Sequence, residues 1–233
     1  RQMCIRDRDM EDYYATWVHQ IKAPIAVMNV LLQQEDTETN QNLKAELFRV
    51  EQYVEMALGY VRLDSGTKDL VIARYPLDEI VRKSIRKYAG QFIRRRIRLI
   101  YEGTDQIVLT DEKWLSFIIE QLLSNAVKYT QKGGITLKVR YVNVGEEELR
   151  LYISVSDTGI GIRKEDQNRL FQSFVRLDEN RNRSIEGTGL GLAITSHIIR
   201  SMNGNIELES EYGKGTTFTI SFLQKIVDNS PVG

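Results

Sequence analysis

Residues 187–192 read Gly-Thr-Gly-Leu-Gly-Leu, and the pattern of an apolar helix begins directly after them. Glycine has no Cβ, so backbone N–H groups in such a stretch can approach a ligand closely. The N-terminus of the following helix adds N–H donors that have no partner within the helix, together with a partial positive charge. These features predict a binding site for an anion, most often a phosphate. The residues of this predicted phosphate site are Gly187, Thr188, Gly189, Leu190 and Gly191.

A second stretch that could do chemistry, DTGIGI at residues 157–162, follows directly on a predicted strand. The carboxylate of Asp157 can accept a hydrogen bond from an exocyclic amine, which distinguishes adenine from guanine. Gly159 and Gly161 let the chain turn tightly beneath the base. Asp-Thr-Gly is also the active-site triplet of aspartic proteases, but that interpretation requires a β-rich chain and leaves residues 187–192 without a role. A dinucleotide-binding fold is disfavoured because the glycine spacing differs from Gly-x-Gly-x-x-Gly and no strand precedes it.

Three polar or aromatic side chains, Asn125, Lys128 and Tyr129, lie on one side of an otherwise apolar predicted helix. An amide oxygen suits Mg²⁺, which prefers oxygen ligands and keeps several waters. A lysine one turn further along can contact a phosphate, and the face of a tyrosine can cover a base. A solvated helix end is the alternative interpretation of the same three residues.

His19 lies on the solvent-facing flank of a predicted helical seam, in the stretch WVHQIKAP at residues 17–24. A plain surface histidine is one interpretation. Pro24, however, costs about 3 kcal/mol in a helix interior and frees the carbonyl of Gln20, which predicts a bend one turn from His19. An exposed imidazole is also a competent nucleophile at neutral pH.

Phe171 and Phe174 are apolar anchors in an otherwise charged stretch. This arrangement favours a lid, between about residues 162 and 187, that closes over a ligand. Arg176 could then reach a terminal phosphate. A surface loop held by two core aromatic side chains is equally consistent with the pattern.

Two helical seams precede these stretches. Apolar residues recur in steps of three and four over residues 14–32 and 43–61, and a polar loop is predicted between them at residues 33–42. One hairpin of this kind buries its apolar stripes poorly, whereas two hairpins form a four-helix bundle. We therefore expect a homodimer.

The pattern changes beyond residue 66, where strand and helix signals mix. A strand is predicted at residues 70–75 and is expected to be broken by Pro76. Asp111 is expected to cap a long helix over residues 114–129, a short helix is predicted at residues 165–171, and a hairpin over residues 206–222 closes the pattern. The mixture predicts an α/β sandwich, with a mixed sheet and helices on one face.

Composition limits the function classes. The chain has 233 residues, 32 Lys and Arg against 32 Asp and Glu, and one cysteine, Cys4. The balanced charge offers no argument for a nucleic-acid partner, and a single cysteine fits a reducing compartment. No apolar run approaches the roughly 18 residues that span a bilayer, so any membrane attachment is expected in segments outside this chain.

The order and spacing of these motifs resemble the cytoplasmic core of bacterial sensor histidine kinases of two-component systems, from about residue 10 to residue 224. The resemblance implies a two-domain α+β chain. Residues 9–66 would form the dimerisation and histidine phosphotransfer hairpin, and residues 67–225 an ATP-binding catalytic domain of the GHKL (Bergerat) type. Residues 1–8 fit no pattern and are expected to be a non-native leader, and residues 226–233 a C-terminal tail.

The same resemblance assigns roles. ATP with Mg²⁺ would phosphorylate His19, and the phosphoryl group would pass to the receiver domain of a response regulator. It also implies a homodimer that is the cytoplasmic part of a bacterial plasma-membrane sensor. The catalytic segment would comprise His19, Gln20 and Lys22, and Asn125 would be the Mg²⁺ ligand. The ATP-binding residues would be Asn125, Lys128, Tyr129, Asp157, Gly159, Gly161, Arg176, Gly187, Thr188, Gly189, Leu190 and Gly191.

Three positions depart from the family pattern. Gln20 stands where many members carry an acidic residue, Ala23 where Thr or Asn orients water for dephosphorylation of the regulator, and Gln121 where a first asparagine is usual. We expect autophosphorylation to persist, because imidazole is itself a nucleophile, and phosphatase activity to be weak. Two alternatives stay open: a catalytically inactive dimeric scaffold, and another GHKL ATPase of the chaperone, gyrase or mismatch-repair kind.

Overall fold

The computed structural model describes residues 20–35, 37–64, 70–173, 175 and 189–226. The expected leader and part of the expected lid lie outside the described residues. The same holds for five residues with predicted roles, which are His19, Phe174, Arg176, Gly187 and Thr188. The chain divides into two compact units, Arg1–Lys68 and Asp69–Gly233, and each is described by itself.

The first unit is a helical hairpin. Its helices are α1, residues 20–33, and α2, Glu38–Asp64. Ile25 and Leu47 are buried between them, and the side-chain amide of Asn29 donates to Glu51 at 2.7 Å. The bend predicted at Pro24 stays a prediction.

The predicted polar loop at residues 33–42 is too long, because α2 already begins at Glu38. Thr37 explains the early start. Its hydroxyl accepts the N–H of Asn40 at 3.1 Å and its carbonyl accepts the N–H of Gln41 at 2.9 Å, which is the geometry of a helix N-cap. The connection therefore shortens to four residues, 34–37.

The second unit contains a five-stranded mixed sheet and a separate two-stranded one. The larger sheet has the order β2-β4-β5-β7-β6; β2 runs parallel to β4 and all other pairs are antiparallel. The smaller sheet pairs β1 with β3. In chain order the elements are β1 Ala73–Pro76, α3 Leu77–Arg95, β2 Arg98–Ile100, β3 Ile107–Thr110, α4 Glu112–Tyr129, β4 Gly134–Asn143, β5 Glu148–Asp157, α5 Lys164–Gln167, α6 Gly191–Ser201, β6 Asn205–Glu211 and β7 Gly215–Lys225.

The core of this unit lies between the large sheet and α3, α4 and α6. Alternate side chains of the central strand β5, namely Leu151, Ile153 and Val155, are at most 2% exposed, whereas those between them are half-buried. One face of the sheet therefore packs on the helices and the other meets solvent. The predicted α/β sandwich with helices on one face is confirmed.

Local predictions in this unit had mixed outcomes. Asp111 caps α4 as expected, because its carboxylate accepts the N–H of Trp114 at 3.0 Å. The first strand ends at Pro76 as expected, but it begins at Ala73 and not at residue 70. Pro76 is itself the last residue of β1, which a strand in a two-stranded sheet tolerates. The short helix predicted at residues 165–171 is only Lys164–Gln167.

Within the described part of the chain, no helix is both long and apolar enough to cross a membrane.

Candidate functional site

The last two turns of α4 carry the predicted polar set. Asn125, Lys128 and Tyr129 are all half-buried, and the ammonium of Lys128 lies 5.0 Å from the centre of the Tyr129 ring. Gln121, one turn before Asn125, is 7% exposed. Because residues three and four apart lie on the same side of a helix, these side chains line one edge of α4.

The end of α4 directly contacts the stretch 157–162, which we call the Asp157 loop. The carbonyl of Tyr129 accepts the N–H of Ile160 at 3.3 Å. A Cβ added to Gly159 would collide with that same carbonyl oxygen. Only glycine allows so close an approach, so the structure brings together two of the motifs that the sequence showed separately.

Asp157 ends β5 with its carboxylate held by main-chain donors. The N–H of Gly159 donates to it at 2.8 Å, and the N–H of Thr216 donates as well. Burial raises the pKa of the Asp157 carboxyl above its ordinary value, although both hydrogen bonds act in the opposite direction. A partly desolvated carboxylate of this kind is suited to accept a hydrogen bond from a ligand.

The Asp157 loop rests on the turn between β6 and β7. Gly161 has a φ of +65°, and a Cβ there would collide with the carbonyl of Glu211. Gly215, with a φ of +128°, packs equally closely on the carbonyl of Asp157. The N–H of Gly213 also donates to the carbonyl of Ile160 at 2.7 Å. Sequence reasoning missed the role of Gly215, although the Gly-x-Gly spacing before a predicted strand was a visible signal.

The described part of the predicted phosphate site has the backbone that such a site requires. Gly189 has a φ of +70°, and α6 begins at Gly191. Leu190 is the N-cap residue of α6, and its side chain accepts no hydrogen bond from the first N–H groups of this helix. Gly187, Thr188 and Arg176 lie outside the described residues.

The ligands available at this site suit a metal ion that keeps much of its water rather than one that is coordinated by protein side chains alone. Among the described residues, no cluster of three or more His, Cys, Asp or Glu side chains could hold a metal. Glu120, on the same helix as Asn125, is paired with Lys87 at 2.6 Å. The amide oxygen of Asn125 is a ligand of the type that Mg²⁺ accepts, and Mg²⁺ usually keeps several waters in protein sites.

The predicted catalytic segment lies in the first unit. Gln20 and Lys22 are exposed at the start of the described part of α1, and Ala23 is exposed beside them. His19 itself lies outside the described residues.

Comparison with known proteins identifies relatives. Residues 110–226 match the family described as histidine kinase-, DNA gyrase B- and HSP90-like ATPase. The chain is 34% identical over 215 residues to the sensor histidine kinase YxdK of Bacillus subtilis, which covers 92% of this chain and 65% of YxdK. It is 33% identical over 220 residues to the sensor-like histidine kinase SenX3 of Mycolicibacterium smegmatis. This match covers 90% of this chain and 56% of SenX3. The chain thus spans between 56% and 65% of the length of these two relatives.

Solved structures show the same fold. Full-length ShkA in complex with AMPPNP superimposes with a TM-score of 0.67 at 24% identity, over 94% of this chain and 47% of ShkA. The histidine kinase AdeS of Acinetobacter baumannii superimposes with a TM-score of 0.59 at 21% identity, over 87% of this chain and 96% of AdeS. The resemblance expected from the motif order is confirmed.

Proposed function

This chain belongs to the family of histidine kinase-, DNA gyrase B- and HSP90-like ATPases, and we propose that it is the catalytic core of a sensor histidine kinase. ATP would phosphorylate His19, and the phosphoryl group would then pass to an aspartate in the receiver domain of a response regulator. The proposal makes the chain the cytoplasmic part of a bacterial membrane sensor, attached through segments outside this sequence. Similarity to sensor histidine kinases over 90% or more of the chain supports it.

The observation that carries the proposal is the junction of the Asp157 loop with the end of α4. The main-chain hydrogen bond from Ile160 to the carbonyl of Tyr129 holds the loop that begins at Asp157 against the end of the helix that carries Asn125 and Tyr129. The side chains of all three residues are half-buried. The carboxylate of Asp157 would accept a hydrogen bond from the amino group of adenine, and Tyr129 would contact the base. An adenine nucleotide has both the donor and the flat apolar surface that this arrangement fits.

The phosphates would be bound by the other half of the site. The backbone N–H groups around Gly189 and Gly191 and the N-terminus of α6 offer donors and a partial positive charge. Lys128 would add a full positive charge, and the amide oxygen of Asn125 would hold Mg²⁺. When bound, Mg²⁺ neutralises charge on the phosphates. The protein then contributes mainly by positioning the terminal phosphate.

The reaction is a pair of phosphoryl transfers. An imidazole nitrogen of His19 attacks the terminal phosphorus of ATP, the bond to the bridging oxygen breaks, and ADP leaves. A carboxylate oxygen of the regulator then attacks the same phosphorus and releases neutral histidine. Gln20 cannot accept the imidazole proton, so this proton is expected to pass to solvent after the first transfer. A proton then returns from solvent when the second transfer releases neutral histidine.

Labelling with Mg–ATP whose terminal phosphate is radioactive tests the proposal. We expect phosphate on the protein that is labile to acid and stable to base, and we expect His19→Gln to abolish it while ATP binding persists. The chain offers a matched control, because its two histidines are His19 and His197, and His197 is exposed on α6. The variant His197→Gln should label like the unsubstituted chain.

The same experiment separates the two alternatives. ATP binding without labelling of the unsubstituted chain would favour the inactive scaffold, which the absence of an acidic side chain at Gln20 supports. ATP turnover without labelling would favour another ATPase of the family. Either result would contradict the kinase proposal.

A homodimer through the hairpin is supported by apolar side chains that one chain leaves uncovered. Seven large apolar side chains of α1 and α2 are 38–60% exposed in the single chain. A second hairpin would cover them in a four-helix bundle. These side chains are Val27, Met28, Val30, Leu31, Leu43, Val50 and Tyr53.

Leu31→Glu is therefore expected to convert the dimer to a monomer, because a charge buried in an apolar interface is strongly unfavourable. Size-exclusion chromatography with light scattering measures the mass directly. Gln34→Glu, an exposed polar position just beyond α1, is the control and should stay dimeric. A Leu31→Glu chain that still has the mass of a dimer would argue against this interface.

A further inference from the structure

The side-chain amide of Gln167 holds the end of the Asp157 loop. Gln167 is half-buried at the end of α5. Its Nε2 donates to the carbonyl of Ile162 at 3.1 Å and to the carbonyl of Ser210, in β6, at 3.0 Å. One NH₂ group thus uses both of its hydrogens on main-chain acceptors from two different segments.

Ser210 completes the attachment from the other side. Its hydroxyl oxygen accepts the N–H of Ile162 at 2.8 Å and lies 3.0 Å from both the carbonyl of Gly215 and the hydroxyl of Thr216. The N–H of Ile162 is therefore held by Ser210 and its carbonyl by Gln167. The last residue of the Asp157 loop has both main-chain groups fixed.

The network continues to the residue that would recognise the base. Gly215 packs on the carbonyl of Asp157, and the N–H of Thr216 donates to the Asp157 carboxylate. The Asp157 loop is thus fixed at its start by β7 and at its end by Gln167. Between these two points lie the glycines that the proposed site needs close to the nucleotide.

We propose that Gln167 is a positioning residue for nucleotide binding: it sets the conformation of the Asp157 loop without touching the ligand. This inference rests on the proposed function, because the ligand is taken to be an adenine nucleotide. Loss of the amide would leave two partly buried carbonyls without their donor and free the end of the loop. Asp157 and the loop N–H groups would then have to be ordered when the ligand binds, which weakens binding.

Three substitutions separate hydrogen-bond donation from packing. Gln167→Glu keeps the shape but removes both donors, and Gln167→Leu removes all polarity. Gln167→Lys restores donors on a side chain of different shape. We expect the first two to raise the Kd for ATP about 10-fold, and Gln167→Lys to stay within about 3-fold of the unsubstituted chain. Gln34→Glu makes the same chemical change at an exposed position of the first unit, outside the predicted lid. It is the control and should leave the Kd unchanged.

The Kd is measured with the full chain, by calorimetry with Mg–ATP, at a temperature well below the lowest Tm of the series. Recovery of affinity in Gln167→Lys would support donation by the side chain, whatever the order of the Tm values. Unchanged Kd values in Gln167→Glu and Gln167→Leu, with affinity lost in Asp157→Asn, would overturn the inference and leave the proposed function intact. Equal loss in all three Gln167 variants would also overturn it, because packing alone would then explain the effect.

Failure of the proposed function gives a different result. If the unsubstituted chain does not bind Mg–ATP, the nucleotide site itself is wrong and the inference is overturned with it. The unsubstituted chain is therefore measured first.

Discussion

Asp157→Asn is expected to raise the Kd for ATP about 10- to 100-fold while the free energy of unfolding changes by less than about 1 kcal/mol. The loss of affinity follows from replacing a charged acceptor, to which a hydrogen bond is worth about 1.5–3 kcal/mol. The amide oxygen of asparagine can still accept the N–H of Gly159, which donates to this side chain at 2.8 Å. Recognition and stability should therefore separate at this position.

The direction of the pKa shift explains why stability is spared. Burial raises the pKa of Asp157 in the folded chain, so folding favours the protonated form. The contribution of this carboxyl to stability is fully present below its unfolded pKa and is lost as the pH rises through its folded pKa. At neutral pH the ionised side chain therefore makes an unfavourable contribution to the free energy of folding. Replacement by asparagine removes this contribution.

Calorimetric titration with Mg–ATP gives the affinity, and urea denaturation gives the free energy of unfolding. Asp105→Asn replaces an exposed aspartate in the loop before β3 and serves as the control for both measurements. An Asp157→Asn chain with unchanged Kd would remove Asp157 from the nucleotide site.

Gly161→Ala is expected to destabilise the second unit by about 3 kcal/mol and to abolish measurable ATP binding. The φ of +65° is unfavourable for any residue with a Cβ, and the added methyl would collide with the main-chain carbonyl of Glu211. Main-chain atoms in a paired strand cannot move aside as a flexible side chain can. The Asp157 loop would then have to move away from the β6–β7 turn. This movement is expected to displace Asp157 from the end of α4.

The chain provides two controls for this effect. Gly90 lies inside α3 with no atom within 4 Å of an added Cβ, so Gly90→Ala should stabilise the unit by about 0.5–1 kcal/mol. Gly213 has a φ of +87° with the same free space, so Gly213→Ala isolates the backbone term and should cost about 1–2 kcal/mol. Urea denaturation monitored by tryptophan fluorescence measures all three. If Gly161→Ala is no less stable than Gly213→Ala, the collision with Glu211 does not contribute.

Features that depend on near neighbours in the chain were predictable. The spacing of apolar residues and the cap at Asp111 were enough to find α4, because a helix satisfies its hydrogen bonds within one segment. The strand predicted directly before Asp157 is present as β5. The start of α2 was missed, although Thr37 is a local signal, because a run of polar residues resembles a loop unless the cap is recognised.

The candidate site shows the same difference between features that depend on local sequence and features that depend on distant segments. Asp157, Gly159 and Asn125 were predicted as site residues from residue type and motif order alone. The groups that hold the end of the Asp157 loop were not predicted, because they come from segments far away along the chain. The hydroxyl of Ser210, which accepts the N–H of Ile162, is 48 residues from it. Gly159 and Gly161 were expected to serve a tight turn, whereas the structure shows that they let the Asp157 loop pack against the carbonyls of Tyr129 and Glu211.

The sequence alone therefore determined the family and the fold class and predicted which residues would form the site, since these inferences depend on local pattern and motif spacing. The tertiary structure decided how Asp157 is held, the direction of its pKa shift, and the attachment of its loop by Gln167 and Ser210. Burial and strand register depend on how the whole sheet pairs. No single segment contains that information, so these features could appear only once the strands had been brought together.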